Sequence, residues 1–259
     1  MNTKYEFTGE TKYYFGTTLK QIRLLVDIAA LGLAAGTLGG WIESEKNLQV
    51  SGNAWVSGDA RVYGNARVSG DAQVSGNARV SGDAQVYGNA WVFGNARVYG
   101  NARVYGTARV YGEAWVFGTA QVYGTAHVCG TARVYDNAQV YGNAMIVGTA
   151  QVCDNARVCG TARVYGEAWV YGNAMIVDNA RVYGNEPQTP SDNRDTIIDA
   201  TCGDEMYPDI GVDQIIYSAD EDAWPFVNDV SSVTIVTSAS DWIAIGSEIV
   251  IVKYAQCLD

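Results

Sequence analysis

Histidine is almost missing from this 259-residue chain, with His127 the single one. That leaves no histidine pair to build a zinc site and only one imidazole for base catalysis. Cysteine gives little framework either: the five at positions 129, 153, 159, 202 and 257 are odd in number and lack Cys-x2-Cys spacing. Free thiols and a cytoplasmic setting are the expectation, with Cys202 and Cys257 left open as a pair. Long apolar runs are absent, since the uncharged, glycine-rich stretch from Ile28 to Trp41 is too short to span a bilayer, so no membrane association is expected. Basic residues are scarce in one part of the chain: residues 185–259 hold fifteen acids against two bases, residues 1–47 five of each, and residues 48–184 eight acids and ten bases. The formal charge of −11 therefore belongs to the tail. It argues against nucleic acid as a partner of the whole chain and favours a basic protein partner for the C-terminal part.

What is present is a repeat. From Val50 to Val182 every sixth residue is Val, except Ile146 and Ile176, and from Ala54 to Ala180 an Ala precedes each by two residues. The unit is Ala-x-Val-x-Gly-Asn, with Asp in the Gly position at 136, 154 and 178. Such a period falls out of phase with a helix, and a Gly in every unit penalises helical backbone. In an extended Ala-x-Val-x segment Ala and Val share one face, and the Gly-Asn pair turns the corner. Three sides close an 18-residue coil, and coils stacked at strand spacing make a rod on the order of 35 Å long with a Val and Ala interior. Open β edges at both ends require caps. Residues 1–47 and 185–259 are the candidates, giving an N-terminal cap (1–47), a β-helix (48–184), a turn-rich linker (185–195) and an acidic β-rich domain (196–259).

The pattern, as in Val-Tyr-Gly-Asn-Ala-Arg at 62–67, resembles the bacterial hexapeptide-repeat family. The resemblance implies an all-β chain whose body is a left-handed parallel β-helix, often a homotrimer. The leader from Gly39 to Leu48 looks like the lead-in of uncharacterised repeat proteins common in bacteria and their phages, which implies the host cytoplasm or a virion as the location. Many proteins of this resemblance are acyltransferases with a His base near an intersubunit groove, which singles out His127. Its position is nevertheless the outward slot of an ordinary repeat, between Arg109 and Met145, where Arg or Gln stands elsewhere.

The flanks read less sharply. Lys20 to Ile28 fits a strand or a short helix, expected to pack over the first coil. Beyond the linker, Asp213 to Ser218, Ser232 to Thr237, Asp241 to Ile245 and Glu248 to Tyr254 are β-branched runs that predict a small β domain. Its acids Asp204, Glu205, Asp220, Glu221 and Asp222 are weighed as a carboxylate pair or a calcium loop, but neighbouring acids point apart and the spacing fits no loop motif. They are read as a partner surface, with no metal and no cofactor assigned.

Residues 18 apart stack, so the outward positions form ladders. One side carries Tyr87, Tyr105, Tyr123 and Tyr141; a second carries Arg61, Arg79 and Arg97 beside Tyr63, Tyr99, Phe117 and Tyr135; the third carries Trp55, Trp91, Arg109, His127 and Met145 beside Phe93 and Tyr111. Such ladders stabilise an exposed sheet. A contiguous aromatic stripe also exceeds what a lone soluble protein usually exposes, and marks an interface. An Arg beside a Tyr could cradle a phosphate-bearing or carbohydrate ligand, although no Gly-rich phosphate loop accompanies it. The expected function is a non-enzymatic scaffold, a trimeric rod presenting its acidic domain to a protein partner, as a fibre-like phage component or, alternatively, an inhibitor of a host protein; an acyltransferase using His127 comes third.

Overall fold

Seven or eight rungs of short β-strands, most of them two residues long, stack on each of three sides, forming a parallel β-helix. The computed structural model describes residues 2–184, together with the strands at 233–237, 241–245 and 248–250, for which only the backbone is considered. One side is a ten-stranded sheet that begins with β1 (Tyr5–Tyr14), β2 (Thr17–Leu24) and β3 (Leu38–Ile42) and runs up to Trp169–Val170. The second has eight strands, from Trp55–Val56 to Arg181–Gly184, and the third has seven, from Arg67–Val68 to Met175–Ile176, completed by a Leu48–Val68 bridge. Among the described residues the only helices are two single 3-10 turns, Ala29–Leu31 and Glu45–Asn47.

The repeat dictates this arrangement directly. Partners across a rung lie eighteen residues apart, as in Arg97↔Trp115 and Val98↔Val116. Along most of the stack each six-residue unit gives three backbone donors to the coil above, exemplified by Arg97 N to Ala114 O at 2.9 Å, Tyr99 N to Val116 O at 3.0 Å and Asn101 N to Gly118 O at 2.7 Å. The inward Ala and Val side chains are 0–1 % exposed from Ala54 to Val164, so the interior is an apolar column sealed from water. At the corners the left-handed residue is the Gly, as at Gly106 with φ 71°, and not the Asn that follows it. Asp136, Asp154 and Asp178, standing in the Gly position, take the same conformation with φ of 55°, 56° and 54°. Asp is among the few residues with a Cβ that accept it readily.

The start of the stack departs from the expected register. Trp41 and Ile42 pair with Arg61 and Val62, and Leu48 with Val68, which is a spacing of twenty; from Trp55 onward it is eighteen. Two additional residues therefore fall between Leu48 and Trp55. Leu48 takes the inward slot, and Val50, expected to begin the aliphatic column, is displaced to a half-buried corner. The first coil thus begins inside the leader. Asn47 holds it: its side chain is fully buried, donates from Nδ2 to Gly64 O (3.0 Å) and Ala66 O (2.9 Å), and accepts at Oδ1 from Ser44 N (2.9 Å).

Lys20 to Ile28 resolves into the end of β2 rather than a helix, and β2 pairs antiparallel with both β1 and β3. Leu19, Ile22 and Leu24 of β2 are buried and Tyr5 of β1 closes the first coil, its hydroxyl donating to Leu48 O at 3.1 Å. Lys4 Nζ donates to Gln49 O at 3.1 Å and Ala54 O at 2.5 Å, satisfying carbonyls in the two-residue insertion. Gly39 and Gly40 are required by close approach: a Cβ on Gly39 would lie 2.5 Å from Ile22 Cγ1, and one on Gly40 2.8 Å from both Ala60 O and Val56 Cγ1. Three of the β-branched runs near the C-terminus form an antiparallel sheet, Val233–Thr237, Asp241–Ile245 and Glu248–Val250. The run at 213–218 lies outside the described residues.

Two outcomes test this architecture. Gly40→Ala should cost about 1–3 kcal/mol in urea unfolding, because the Ala60 carbonyl and the short, branched side chain of Val56 both oppose the new methyl. Burial pulls the Lys4 ammonium down to about 8, with Asp71 opposing the shift. Between pH 8 and 10 the unfolded chain then binds more protons at this group than the folded one, and the Lys4 contribution to stability rises with pH. Relative to Lys4→Met, the wild-type chain should gain on the order of 1 kcal/mol per pH unit across that window. The comparison with the variant cancels the tyrosines, whose raised values act in the opposite direction above pH 10.

Candidate functional site

The outward ladders follow from the rung spacing. Tyr87, Tyr105, Tyr123 and Tyr141 stand on the third side with ring centroids 4.8, 4.8 and 4.9 Å apart and planes within 4° of parallel. Tyr99, Phe117 and Tyr135 repeat this on the first side at 4.9 and 5.0 Å. Both columns are brought together as expected, and the stacking leaves each ring half-buried. The hydroxyls are tied to the neighbouring column: Tyr105 donates to Gln121 Oε1 (3.3 Å), Tyr123 to Gln139 Oε1 (3.5 Å) and Tyr135 to Gln151 Oε1 (3.4 Å). Desolvation raises the phenols of Tyr99, Tyr105, Tyr123 and Tyr135 above their ordinary value, while Arg97 and Arg133 partly restrain Tyr99. Tyr141 is pushed up to about 12, first by its hydrogen bond with Cys159 and then by burial.

The arginine ladder is divided between two environments. Arg61 and Arg79 are covered: the Tyr14 ring, at the end of β1, lies 4.5 Å from the Arg61 guanidinium and 5.2 Å from that of Arg79, and meets Tyr63 edge-on. Arg97 lies 4.5 Å from the Trp115 ring, which Arg133 approaches from the next rung at 5.3 Å. A tryptophan between two guanidiniums replaces like-charge contact by two cation–π contacts. Trp115 and Tyr14 were not singled out from the sequence. Trp115 is legible there, eighteen residues from Arg97 and from Arg133, but Tyr14 lies outside the repeat and carries no periodic signal.

His127 stands between Arg109 and Met145 on the second side, its ring edge-on to Tyr111 with centroids 6.1 Å apart. Desolvation first, then the Arg109 charge, lower its pKa. A neutral imidazole suits a base, yet among the described residues no carboxylate pairs with it to fix a tautomer. Three thiols share a placement the sequence reading did not pick out. Cys129, Cys153 and Cys159 each follow a ladder tyrosine by eighteen residues, namely Tyr111, Tyr135 and Tyr141, so that a thiol succeeds each aromatic column. Cys153 is buried, receives a hydrogen bond from Trp169 Nε1 at 3.3 Å, and has its thiol pKa raised by burial. Asp204, Glu205, Asp220, Glu221 and Asp222 lie outside the described residues.

On the third side, below the tyrosine column, two adjoining grooves open near the N-terminal end. The larger, about 720 Å³, is bordered by Lys46, Gln49, Arg67, Ser69, Gln85 and Tyr87 among others. The smaller, about 360 Å³, shares Lys46, Arg67 and Gln85 with it and adds Asn65 and Asp83.

Set beside known proteins, residues 60–74, 72–88, 84–98, 96–112, 138–149 and 150–166 match the family model described as YdcK Beta solenoid repeat. No curated protein matches the chain. The matched segments fall on rungs of all three sheets, in two runs on either side of residues 113–137, and with the parallel stack around them they make this chain a β-solenoid repeat protein.

Proposed function

We propose that the protein is a non-catalytic scaffold: a self-associating β-solenoid rod that carries its acidic C-terminal part to a basic protein partner. The observation that supports this most is the aromatic and arginine surface, left uncovered by the described residues, formed by Tyr87 to Tyr141 on one side and by Arg97, Trp115, Tyr99, Phe117 and Tyr135 on the next. The coils from Trp55 onward keep one spacing and extrude no loop to build a cleft. Broad, rigid and rich in Tyr, Trp and Arg, such a surface suits protein contact better than catalysis. A homotrimer is the assembly this reading favours, with a fibre-like component, of a phage or a bacterium, as the role. An inhibitor acting through the acidic part is the second reading, favoured by the fifteen acids against two bases in residues 185–259. Acyl transfer at His127 ranks behind both, since its ring contacts are Tyr111 and Arg109.

Light scattering on the full chain and on a chain truncated after Asn185 tests the assembly. Both should give the mass of three chains, and Tyr123→Glu, which places a charge in the middle of the stack, should return a single chain with its β circular dichroism intact. A single-chain mass for the wild type overturns the scaffold assembly. A partner complex should weaken with added salt and be lost with residues 185–259; one that survives the truncation removes the acidic part from the reading.

A further inference from the structure

We propose that the pair of grooves beneath Tyr87 is a binding site for a free nucleotide, the base completing the tyrosine stack and the phosphate lying between Lys46 and Arg67. The tyrosine column is a series of rings at one-coil intervals, and it stops at Tyr87. Eighteen residues earlier the corresponding position is Ser69, whose backbone N–H donates to Val86 O at 3.0 Å in the regular rung pattern. The ladder backbone therefore continues one rung below Tyr87 while its ring does not. One face of Tyr87 is stacked on Tyr105 at 4.8 Å, and in the rung beneath its other face Ser69 holds the ring position, with Arg67 and Val68 also bordering the groove of about 720 Å³.

The position of the missing ring has the height of one coil, about 4.8 Å, which admits one planar ring at the stacking distance that the column already uses. Gln49 closes its lower side: Gly70 N donates to Gln49 Oε1 at 3.2 Å, and Gln49 Nε2 donates to Ser51 Oγ at 2.5 Å. This closure is a product of the two-residue insertion in the first coil, so the slot occurs at this end of the column. The Gln85 amide borders both grooves and offers a donor and an acceptor to a base edge.

The charge beside the slot indicates what the ring should carry. Lys46 and Arg67 border both grooves, while Glu45 borders the larger and Asp83, whose Oδ1 accepts from Asn65 Nδ2 at 3.0 Å, borders the smaller. Lys46 Nζ donates to Asn65 Oδ1 at 3.2 Å, and the exposed Arg67 has no carboxylate partner among the described residues. A guanidinium with its fork free and an ammonium at the junction of the two grooves form a receptor for a phosphate attached to the stacked ring. A flat π ring with an anionic substituent one sugar away is the chemistry of a nucleotide.

Isothermal titration calorimetry of the full chain with AMP, GMP, CMP and UMP, with inorganic phosphate and ribose 5-phosphate as controls, tests the site. At least one nucleotide should bind, and both controls should bind at least roughly tenfold more weakly, since stacking supplies the difference. Ser69→Tyr restores the missing ring and should abolish nucleotide binding while leaving thermal unfolding no lower than that of the wild type. Arg67→Gln, which leaves the stack intact, should weaken binding by roughly tenfold and flatten its salt dependence. The proposal is overturned if nucleotides bind no better than phosphate, if Ser69→Tyr binds as the wild type does, or if only a single-stranded oligonucleotide binds.

Discussion

Every outward side chain of the solenoid body stands over the one eighteen residues before it, because parallel backbone hydrogen bonds lock each coil to the next with no insertion from Trp55 upward. That register is the constraint on which the remaining features depend. It is held from within by the sealed Val and Ala column and at the corners by one left-handed residue per side. Slipping a coil by one residue would turn the aliphatic column outward, so the interior and the ladders are specified together.

The same register creates a problem on the first side, where arginines would stand directly on arginines. Arg61 pairs with Arg79 and Arg79 with Arg97. Like charges in direct register are destabilising. Tyr14 lies over the lower two guanidiniums, and Trp115 stands between Arg97 and Arg133 in place of a further arginine. Electrostatics, then, and not only packing, accounts for the hairpin of β1 and β2 reaching across the coil faces. The corner acids Asp59, Asp71 and Asp83 are spread through the lower coils, and Asp59 meets Lys12 of that hairpin at 3.3 Å.

The N-terminal end is where the repeat gives way to individual residues. A bottom coil has carbonyls and apolar side chains with no rung beneath them, and Lys4, Tyr5, Asn47 and the apolar residues of β2 satisfy both needs. Fitting them requires two additional residues between Leu48 and Trp55, and this departure shapes the grooves at Lys46 and Arg67. An irregularity serving the cap thereby differentiates one end of an otherwise uniform surface, which is where a specific ligand can be distinguished from generic contact.

By itself the sequence determined the body of this protein. A six-residue period of Val with Ala two residues before it admits only short strands and corners, and eighteen-residue spacing then places Tyr87 under Tyr105 and Arg97 under Trp115 by arithmetic. Three of the four late β-branched runs were likewise legible, because strand propensity is local. What the tertiary structure alone decided were the contacts between segments without a common period. The displacement of Val50 by Leu48, the cover of Tyr14 over Arg61 and Arg79, the burial of Lys4, and the placing of Lys46 on the same grooves as Arg67 all join the leader to the coils. Periodicity predicts a neighbour only where both partners obey it, and the leader obeys none; its place is set by the unpaired end it has to cover.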